Sequence, residues 1–229
     1  SGVCFGFIGN RMFSEYGRET QLCLIEGASA EQIDRVMEEY GMAMGPLAVS
    51  DLAGIDIGYK VREGLTEQEK GDPRSFCIAD ALVEQGRLGQ KSGAGFYQYD
   101  PQTRARISDP EVSALIEAKA AEYNVSRRDF SDEEIRDRLL LPLINEGAKI
   151  LQEGIAQRSG DIDVVYVFGY GFPVYHGGPM QYADHLGLDA VYKKLSDLHQ
   201  QSGKDYWQPA DLIKTLAESG SSFAKWSQD

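Results

Sequence analysis

Few side chains of this sequence are spaced in a way that supports chemistry by themselves. The three histidines, His176, His185 and His199, have no carboxylate at the spacing of a metal site or a catalytic dyad, so we interpret them as structural. Cys23 and Cys77 stand among apolar residues, which predicts buried free thiols in a reducing compartment. No G-x-G-x-x-G turn follows an apolar strand, so the usual dinucleotide-binding signature is missing. Function must therefore be inferred from the organisation of the chain.

The sequence nearly repeats itself at a period of about 130 residues, too long for a solenoid and suited to two copies of one small domain. The matching pairs are Asn10 and Asp137, Glu26 and Glu153, Asp34 and Asp163, Gly45-Pro46 and Gly178-Pro179, Asp51 and Asp184, Gly54 and Gly187, and Asp56 and Asp189. We expect a first copy at residues 1–108, a connector at 109–130 and a second, degenerate copy at 131–229. Differences between the copies then point to function.

Apolar residues at helical spacing predict an all-α protein. The expected helices cover 10–26, a stretch after Ser29, Pro46 to Ala53, a stretch capped by Asp56, 73–85, 110–122, a stretch after Ser131, and others opened by Asp161, Pro179, Asp189 and residue 209. Ser29 with Gln32 and Ser131 with Glu134 predict capping boxes. Pro142 predicts a kink or a break in its helix. The alternating segment 96–99 is a short strand or a loop.

Composition excludes several classes of function. The formal net charge of −13 argues against nucleic acid, whose phosphates need a basic surface. No apolar run is long enough to span a bilayer, and no segment has the pattern of a secretory signal. The apolar fraction of 42% is sufficient for a packed core.

Several motifs resemble the carboxy-terminal helical domains of the L-3-hydroxyacyl-CoA dehydrogenase family. In the first copy they are Gly6-Phe7-Ile8-Gly9-Asn10-Arg11, Gly41-Met42-Ala43-Met44-Gly45-Pro46, Asp51-Leu52-Ala53-Gly54-Ile55-Asp56 and Lys91-Ser92-Gly93-Ala94-Gly95-Phe96-Tyr97. In the second copy, segments 141–148, 161–165 and 169–180 are similar to multifunctional β-oxidation enzymes of the alpha-subunit type. The resemblance covers nearly the whole chain.

The resemblance implies two tandem helical domains that follow a dinucleotide-binding domain absent from this sequence. It implies an intact enzyme that oxidises (3S)-3-hydroxyacyl-CoA with NAD, whose catalytic histidine and glutamate belong to the absent domain. We expect the chain alone to be inactive and to bind no cofactor. In single-copy relatives the helical domain forms a dimer, so here the second copy is expected to replace the partner, giving a monomeric pseudo-dimer.

Asn10 is the catalytic candidate. In the resembling family the asparagine at this position lies near the substrate thioester carbonyl, to which an amide can donate a hydrogen bond. Without the resemblance, Asn10 would be interpreted as a helix N-cap, which asparagine favours. The equivalent Asp137 would repel a thioester carbonyl, so we expect no catalytic role for the second copy.

Five further residues are predicted to bind the acyl-CoA: Met42, Met44, Gly45, Pro46 and Lys91. The methionines would accommodate the acyl chain, or pack in the core or at an interface. Gly45 and Pro46 would shape the pocket, or set a turn and start a helix. Lys91 would contact a CoA phosphate, or lie in a solvated loop.

The expected partners are the absent NAD-binding domain, the acyl-CoA substrate and a thiolase subunit, with no nucleic acid and no membrane span. Two other interpretations stay open: the helical second domain of another NAD(P)-dependent hydroxyacid dehydrogenase, and a non-enzymatic helical scaffold. The expected compartment is a bacterial cytoplasm, with a peroxisome or a mitochondrion as alternatives.

Overall fold

A computed structural model describes residues 2–227, and helices dominate this part of the chain. The α-helices are α1 (Gly9–Glu26), α2 (Ala30–Tyr40), α3 (Pro46–Ala53), α4 (Asp56–Glu63), α5 (Glu67–Lys70), α6 (Cys77–Glu84), α7 (Pro110–Glu122), α8 (Asp132–Gln152), α9 (Ser159–Gly169), α10 (Pro179–Leu186), α11 (Leu188–Ser202) and α12 (Asp211–Ser219). Strands β1 (Gln98–Tyr99) and β2 (Arg106–Ile107) pair antiparallel, with Gln98 opposite Ile107. The predicted all-α class is confirmed.

The chain folds as two compact units that do not follow the bounds of the sequence copies. Among the described residues, unit 1 contains 2–16, 41–43 and 137–227. Unit 2 contains 17–40 and 44–136. In unit 1, α9 packs on α10 and α11 on α12, whereas in unit 2 α2 packs on α3 and α4 on α6. The pair α2 and α3 of the first copy therefore corresponds to α9 and α10 of the second.

In the first copy, a buried carboxylate on α2 caps α3. Asp34 is fully buried and accepts the backbone N–H groups of Leu47 and Ala48 at 2.9 and 3.0 Å. The hydroxyl of Tyr97 donates to it at 2.9 Å, and the guanidinium of Arg106 at 3.1 Å. Burial raises the pKa of Asp34 to about 6, although these four donors act in the opposite direction. The side chain satisfies N–H groups that the start of α3 would otherwise leave without partners.

In the second copy, an equivalent buried aspartate caps the next helix, with fewer hydrogen-bond partners. Asp163 on α9 accepts the N–H groups of Met180 and Gln181 at the start of α10, at 2.8 and 3.2 Å. Burial raises its pKa to about 6 as well. The repetition of one long-range contact at two equivalent aspartates supports the duplication that the sequence predicts.

A second pair of equivalent carboxylates anchors the segment that ends each copy. Asp51 accepts the N–H groups of Phe96 and Tyr97 at 2.9 and 3.1 Å and the Tyr99 hydroxyl at 2.9 Å. Burial raises the pKa of Asp51. Its counterpart Asp184 accepts two successive N–H groups, from Phe223 at 2.8 Å and from Ala224 at 3.0 Å.

Three expected helix caps are wrong. Asp56 is the first residue of α4 and Ile55 occupies the N-cap. Helix α9 already begins at Ser159, before Asp161, and Gly187 rather than Asp189 caps α11. These aspartates all lie in the first turn of their helices, where a negative charge is favoured by the macrodipole without capping a backbone N–H.

The predicted capping boxes form only in part. Ser29 and Ser131 accept the N–H groups of Gln32 and Glu134, each at 3.1 Å. The reciprocal bonds are absent, because the Gln32 amide donates to the carbonyl of Phe130 at 3.0 Å and Glu134 pairs with an arginine of the connector. A complete capping box is found instead at α5, between Thr66 and Glu69, a helix for which no prediction was made.

The structure corrects one expectation on helix continuity, the helix at 73–85, and the break that was one of two alternatives at Pro142. The predicted helix 73–85 is divided into a 3₁₀ segment, Pro73–Ser75, and α6, because Phe76 leaves the helical region with φ −148°. Pro142 does not break α8, which is continuous from Asp132 to Gln152. The residues around Pro142 are almost fully buried, so tertiary packing compensates for the missing backbone donor.

Cys23 and Cys77 are buried and free, as predicted. Within residues 2–227, none of the helices combines the length and the apolar character that crossing a bilayer requires.

Candidate functional site

Asn10 lies in the first turn of α1 with its side chain exposed. Its backbone N–H donates to the carbonyl of Gly6 at 3.1 Å, so it is inside the helix rather than at the N-cap. The side-chain Oδ1 accepts a hydrogen bond from the hydroxyl of Tyr170 at 2.6 Å. The N-cap interpretation is therefore wrong, and the carboxamide is held by a residue of the second copy within unit 1.

Aromatic rings surround this contact. The Tyr170 ring stacks on Tyr166, with ring centres 4.9 Å apart, and lies 5.6 Å from Phe13. The hydroxyl of Tyr166 donates to the carbonyl of Gly9 at 3.2 Å. A Cβ at Gly9 would lie 2.4 Å from the Tyr170 hydroxyl, so glycine is required at this close approach. Burial raises the pKa of the Tyr170 hydroxyl above its ordinary value.

Arg11 fixes the same turn of α1 through ion pairs with α8 and the residue that follows it. Its guanidinium binds Glu153 through two hydrogen bonds, at 2.6 and 2.8 Å, and Glu146 through a third at 2.6 Å. The hydrogen bonds to Glu153 are the largest cause of a raised pKa of Arg11. Two-point binding of a carboxylate restricts direction as well as distance. The backbone that carries Asn10 is thus fixed by charge on one side and by aromatic packing on the other.

The equivalent position of the second copy is chemically different. Asp137 accepts a hydrogen bond from Lys194 of α11 at 2.6 Å, within unit 1. An ionised carboxylate has no hydrogen to donate. The absence of a catalytic role for the second copy stays a prediction that this geometry favours.

The predicted acyl-binding residues lie at several places. Met42 is buried in unit 1, where the adjacent Ala43 N–H donates to the carbonyl of Gly171 at 3.0 Å. Met44 is half-buried in unit 2. Gly45 and Pro46 are buried at the start of α3.

Lys91 lies in a 3₁₀ segment, Gln90–Ser92, that precedes β1, and it is about half exposed. Its ammonium group pairs with Asp56, which also accepts from Lys60 at 2.9 Å. These hydrogen bonds, that of Lys91 first, lower the pKa of Asp56 to about 2.

The three histidines contact aromatic rings or backbone carbonyls, and their interpretation as structural stays a prediction. The ring of His176 contacts Tyr175 and Tyr182, and burial lowers its pKa. His185 and His199 place Nδ1 at 3.1 and 2.9 Å from backbone carbonyls. Among the described residues, no group of three or more histidine, cysteine, aspartate and glutamate side chains could hold a metal ion.

The usual dinucleotide-binding fold is not found among the described residues. The strands within residues 2–227 are two-residue segments of one antiparallel hairpin, so the part described contains no parallel sheet with a glycine-rich turn at its edge.

Sequence reasoning gave Tyr170 no role, although its segment carries part of the family resemblance. The signal was its neighbour Gly171, a residue type that allows the backbone to approach another segment closely. A Cβ at Gly171 would lie 2.8 Å from that of Ala43. Which residue Tyr170 would reach was not readable, because Asn10 stands far away in the sequence.

Comparison with known proteins agrees with the resemblance. The sequence family described as "3-hydroxyacyl-CoA dehydrogenase, C-terminal domain" matches residues 6–99 and 135–227, one segment in each copy. The peroxisomal bifunctional enzyme of Homo sapiens is 43% identical, over 96% of this chain and 32% of its own length. The fatty acid oxidation complex subunit alpha of Acinetobacter baylyi is 34% identical, over 96% of this chain and 31% of its own. The chain thus spans about a third of the length of these curated relatives.

Solved structures share the fold. The dehydrogenase part of multifunctional enzyme 1 from C. elegans superposes with a TM-score of 0.74 at 29% identity, over 94% of this chain and 48% of that one. The 3-hydroxybutyryl-CoA dehydrogenase of Escherichia coli gives a TM-score of 0.70 at 22% identity, over 94% of this chain and 60% of that one. At that identity the second likeness shows the fold alone.

Proposed function

Because this chain belongs to the family of 3-hydroxyacyl-CoA dehydrogenase C-terminal domains, we propose that it is the helical part of an enzyme of fatty-acid β-oxidation. The intact enzyme would oxidise a (3S)-3-hydroxyacyl-CoA to the 3-ketoacyl-CoA with NAD⁺ as acceptor. The match of both copies to one dehydrogenase domain carries this proposal. Since the chain covers about a third of its curated relatives, the NAD-binding domain would belong to the remainder of the protein.

Asn10 is the residue of this chain that we assign to the reaction. Its exposed carboxamide would donate from Nδ2 to the thioester carbonyl oxygen and hold the substrate in a fixed orientation. Oxidation removes a hydride from C3 and a proton from its hydroxyl; NAD⁺ supplies the hydride acceptor when bound, and we assign neither transfer to residues of this chain. The contribution of the helical part is therefore positioning of the thioester.

The other predicted substrate residues have separate roles in this proposal. Met42 and Met44 would accommodate the acyl chain, since unbranched thioether side chains adapt to irregular apolar shapes. Gly45 and Pro46 would shape the pocket indirectly, by fixing the start of α3. Lys91 would contact a CoA phosphate with donors that its pairing with Asp56 leaves available, because an ammonium group has three.

The names of the relatives support a proposal on partners and on the compartment. One group of relatives is named as a subunit of a fatty acid oxidation complex, which supports a further subunit, a thiolase, as partner. Another group is named peroxisomal. We propose that the intact protein acts in a bacterial cytoplasm or in a peroxisome.

The test uses the chain joined to the NAD-binding part of its enzyme. NADH formation is followed by absorbance with 3-hydroxybutyryl-CoA and with free 3-hydroxybutyrate. We expect activity with the thioester only, and a loss of about 100-fold in kcat/KM for Asn10→Ala, the size expected when one positioning contact is lost. Asn10→Asp keeps the shape and removes the donor, so it should lose as much.

Ser14→Ala is the matched control on the next turn of α1, since, among the described residues, the Ser14 hydroxyl bonds only the backbone carbonyl of Asn10. It should retain full activity. Oxidation of the free hydroxy acid would favour another hydroxyacid dehydrogenase. No oxidation of either compound by the intact protein would favour a non-enzymatic scaffold. Full activity of Asn10→Ala would remove Asn10 from the site.

A further inference from the structure

We propose that Tyr170, a residue of the second copy, is a positioning residue that sets the direction of the Asn10 carboxamide. The inference rests on the proposed function, because it assigns how the amide of that site is held. It gives the second copy a part in the reaction although the equivalent of Asn10 in that copy is an aspartate, Asp137.

The first step of the argument is the identity of the bonded atom. A carboxamide has an acceptor oxygen at one end and a donor nitrogen at the other, and a thioester carbonyl needs the donor. The Tyr170 hydroxyl lies 2.6 Å from Oδ1 of Asn10. That separation is typical of O–H···O bonds and shorter than usual N–H···O bonds. With Oδ1 engaged by the hydroxyl, Nδ2 points away from it.

The second step is that Nδ2 is available. Within residues 2–227, no acceptor is hydrogen-bonded to Nδ2 of Asn10, and the side chain is exposed. A free asparagine exchanges its two ends by rotation of the terminal torsion, which is broad and roughly two-fold. A fixed acceptor partner at Oδ1 removes this ambiguity and presents the donor to the substrate.

The third step is that Tyr170 itself is fixed. Tyr166 stacks on one side of its ring, Phe13 lies against it, and the absence of a side chain at Gly9 lets the hydroxyl approach α1. The stacked partner is tied to α1 through its hydrogen bond to the Gly9 carbonyl at 3.2 Å. Donor and amide are therefore held against the same turn, and the hydroxyl needs no rearrangement to keep its bond.

The test is a double-mutant cycle in the intact enzyme, with Tyr170→Phe, Asn10→Ala and the double variant. Tyr170→Phe keeps the ring and removes only the hydroxyl. We expect kcat/KM to fall about 3- to 10-fold, the factor that corresponds to one neutral hydrogen bond. In the Asn10→Ala background the same change should have less than a twofold effect, because no amide is left to orient. Tyr182→Phe, also half-buried in unit 1, is the matched control and should be neutral in both backgrounds.

Each outcome of the cycle supports or overturns one of the two assigned roles. Full activity of Asn10→Ala contradicts the proposed role of Asn10. Impaired Asn10→Ala with fully active Tyr170→Phe overturns the positioning role alone. Equal losses in both backgrounds mean that Tyr170 only supports the fold, which also overturns it. If Tyr170→Phe does not fold, the test uses trifluorotyrosine at position 170, because its hydroxyl ionises near neutral pH. The value of kcat/KM must then fall as the pH rises through that ionisation. A pH profile that stays flat refutes the inference.

Discussion

Replacing Gly45 and Gly178 by alanine separates two energetic costs that usually occur together, overpacking by the added Cβ and backbone strain. The two glycines are equivalent, each precedes a proline at a helix start, and each packs against an equivalent aspartate. A Cβ at Gly45 would lie 2.3 Å from that of Asp34, and one at Gly178 would lie 2.4 Å from that of Asp163. The backbones differ, because φ is −68° at Gly45 and +115° at Gly178.

The expected magnitudes follow from this difference. Overpacking costs about 1–3 kcal/mol at either site, and alanine recovers about 0.4–1 kcal/mol by restricting the unfolded chain. Gly178 adds about 1–3 kcal/mol, because an alanine there is held in a strained region of φ and ψ. We expect Gly45→Ala to lower the free energy of unfolding by about 1–2 kcal/mol and Gly178→Ala by about 3–4 kcal/mol.

Urea denaturation followed by circular dichroism measures both values. Gly160→Ala on α9 is the control, since a Cβ there meets nothing within 4 Å and its φ is ordinary. It should stabilise by about 0.5–1 kcal/mol, the usual gain from alanine in a helix. The reasoning is refuted if Gly178→Ala costs no more than Gly45→Ala, or if both behave like the control.

Three other predictions concern single groups. Burial raises the pKa of Asp163 to about 6, above the 3.8 of an unperturbed carboxyl, so the stabilising contribution of this group is present below about pH 4 and is lost as the pH rises through 6. In urea titrations, wild type should therefore lose stability from pH 4 to 7 relative to Asp163→Asn, and a difference that stays constant with pH contradicts this. Alkylation by iodoacetamide at pH 8 should modify half-buried Cys4 long before Cys77, whose pKa burial raises to about 11; equal rates by mass spectrometry would disprove it. In the intact enzyme, Lys91→Ala should raise KM for an acyl-CoA but not for the acyl-pantetheine thioester that lacks the CoA phosphates; if Lys91 serves only Asp56, both KM values stay unchanged.

The elements that local chemistry determines were predictable. Ser29 and Ser131 accept N–H groups three residues along, and Pro110 starts α7 where the sequence indicates. The errors arise where a distant group competes. The Gln32 amide leaves the capping box for the carbonyl of Phe130, and no local pattern contains that carbonyl. Burial around Pro142 likewise overrides the break that the residue predicts by itself.

The sequence predicted one residue of the candidate site but not the contacts that hold it. The family resemblance identified Asn10, because the motif around it is continuous in sequence. Tyr170 and the ion pairs of Arg11 were not predictable, since they depend on how α1 meets residues more than a hundred positions later. The difference between Asn10 and Asp137 was readable as a loss of the donor, and the structure adds the pairing of Asp137 with Lys194.

The bounds of unit 1 bear on how this protein can be dissected. Residues 2–16 belong to the same compact unit as 137–227. Cutting the chain at the connector would therefore separate Arg11 from Glu146, and Asn10 from Tyr170. A deletion of the residues that follow the connector would therefore also remove the packing partners of the amino-terminal residues 2–16.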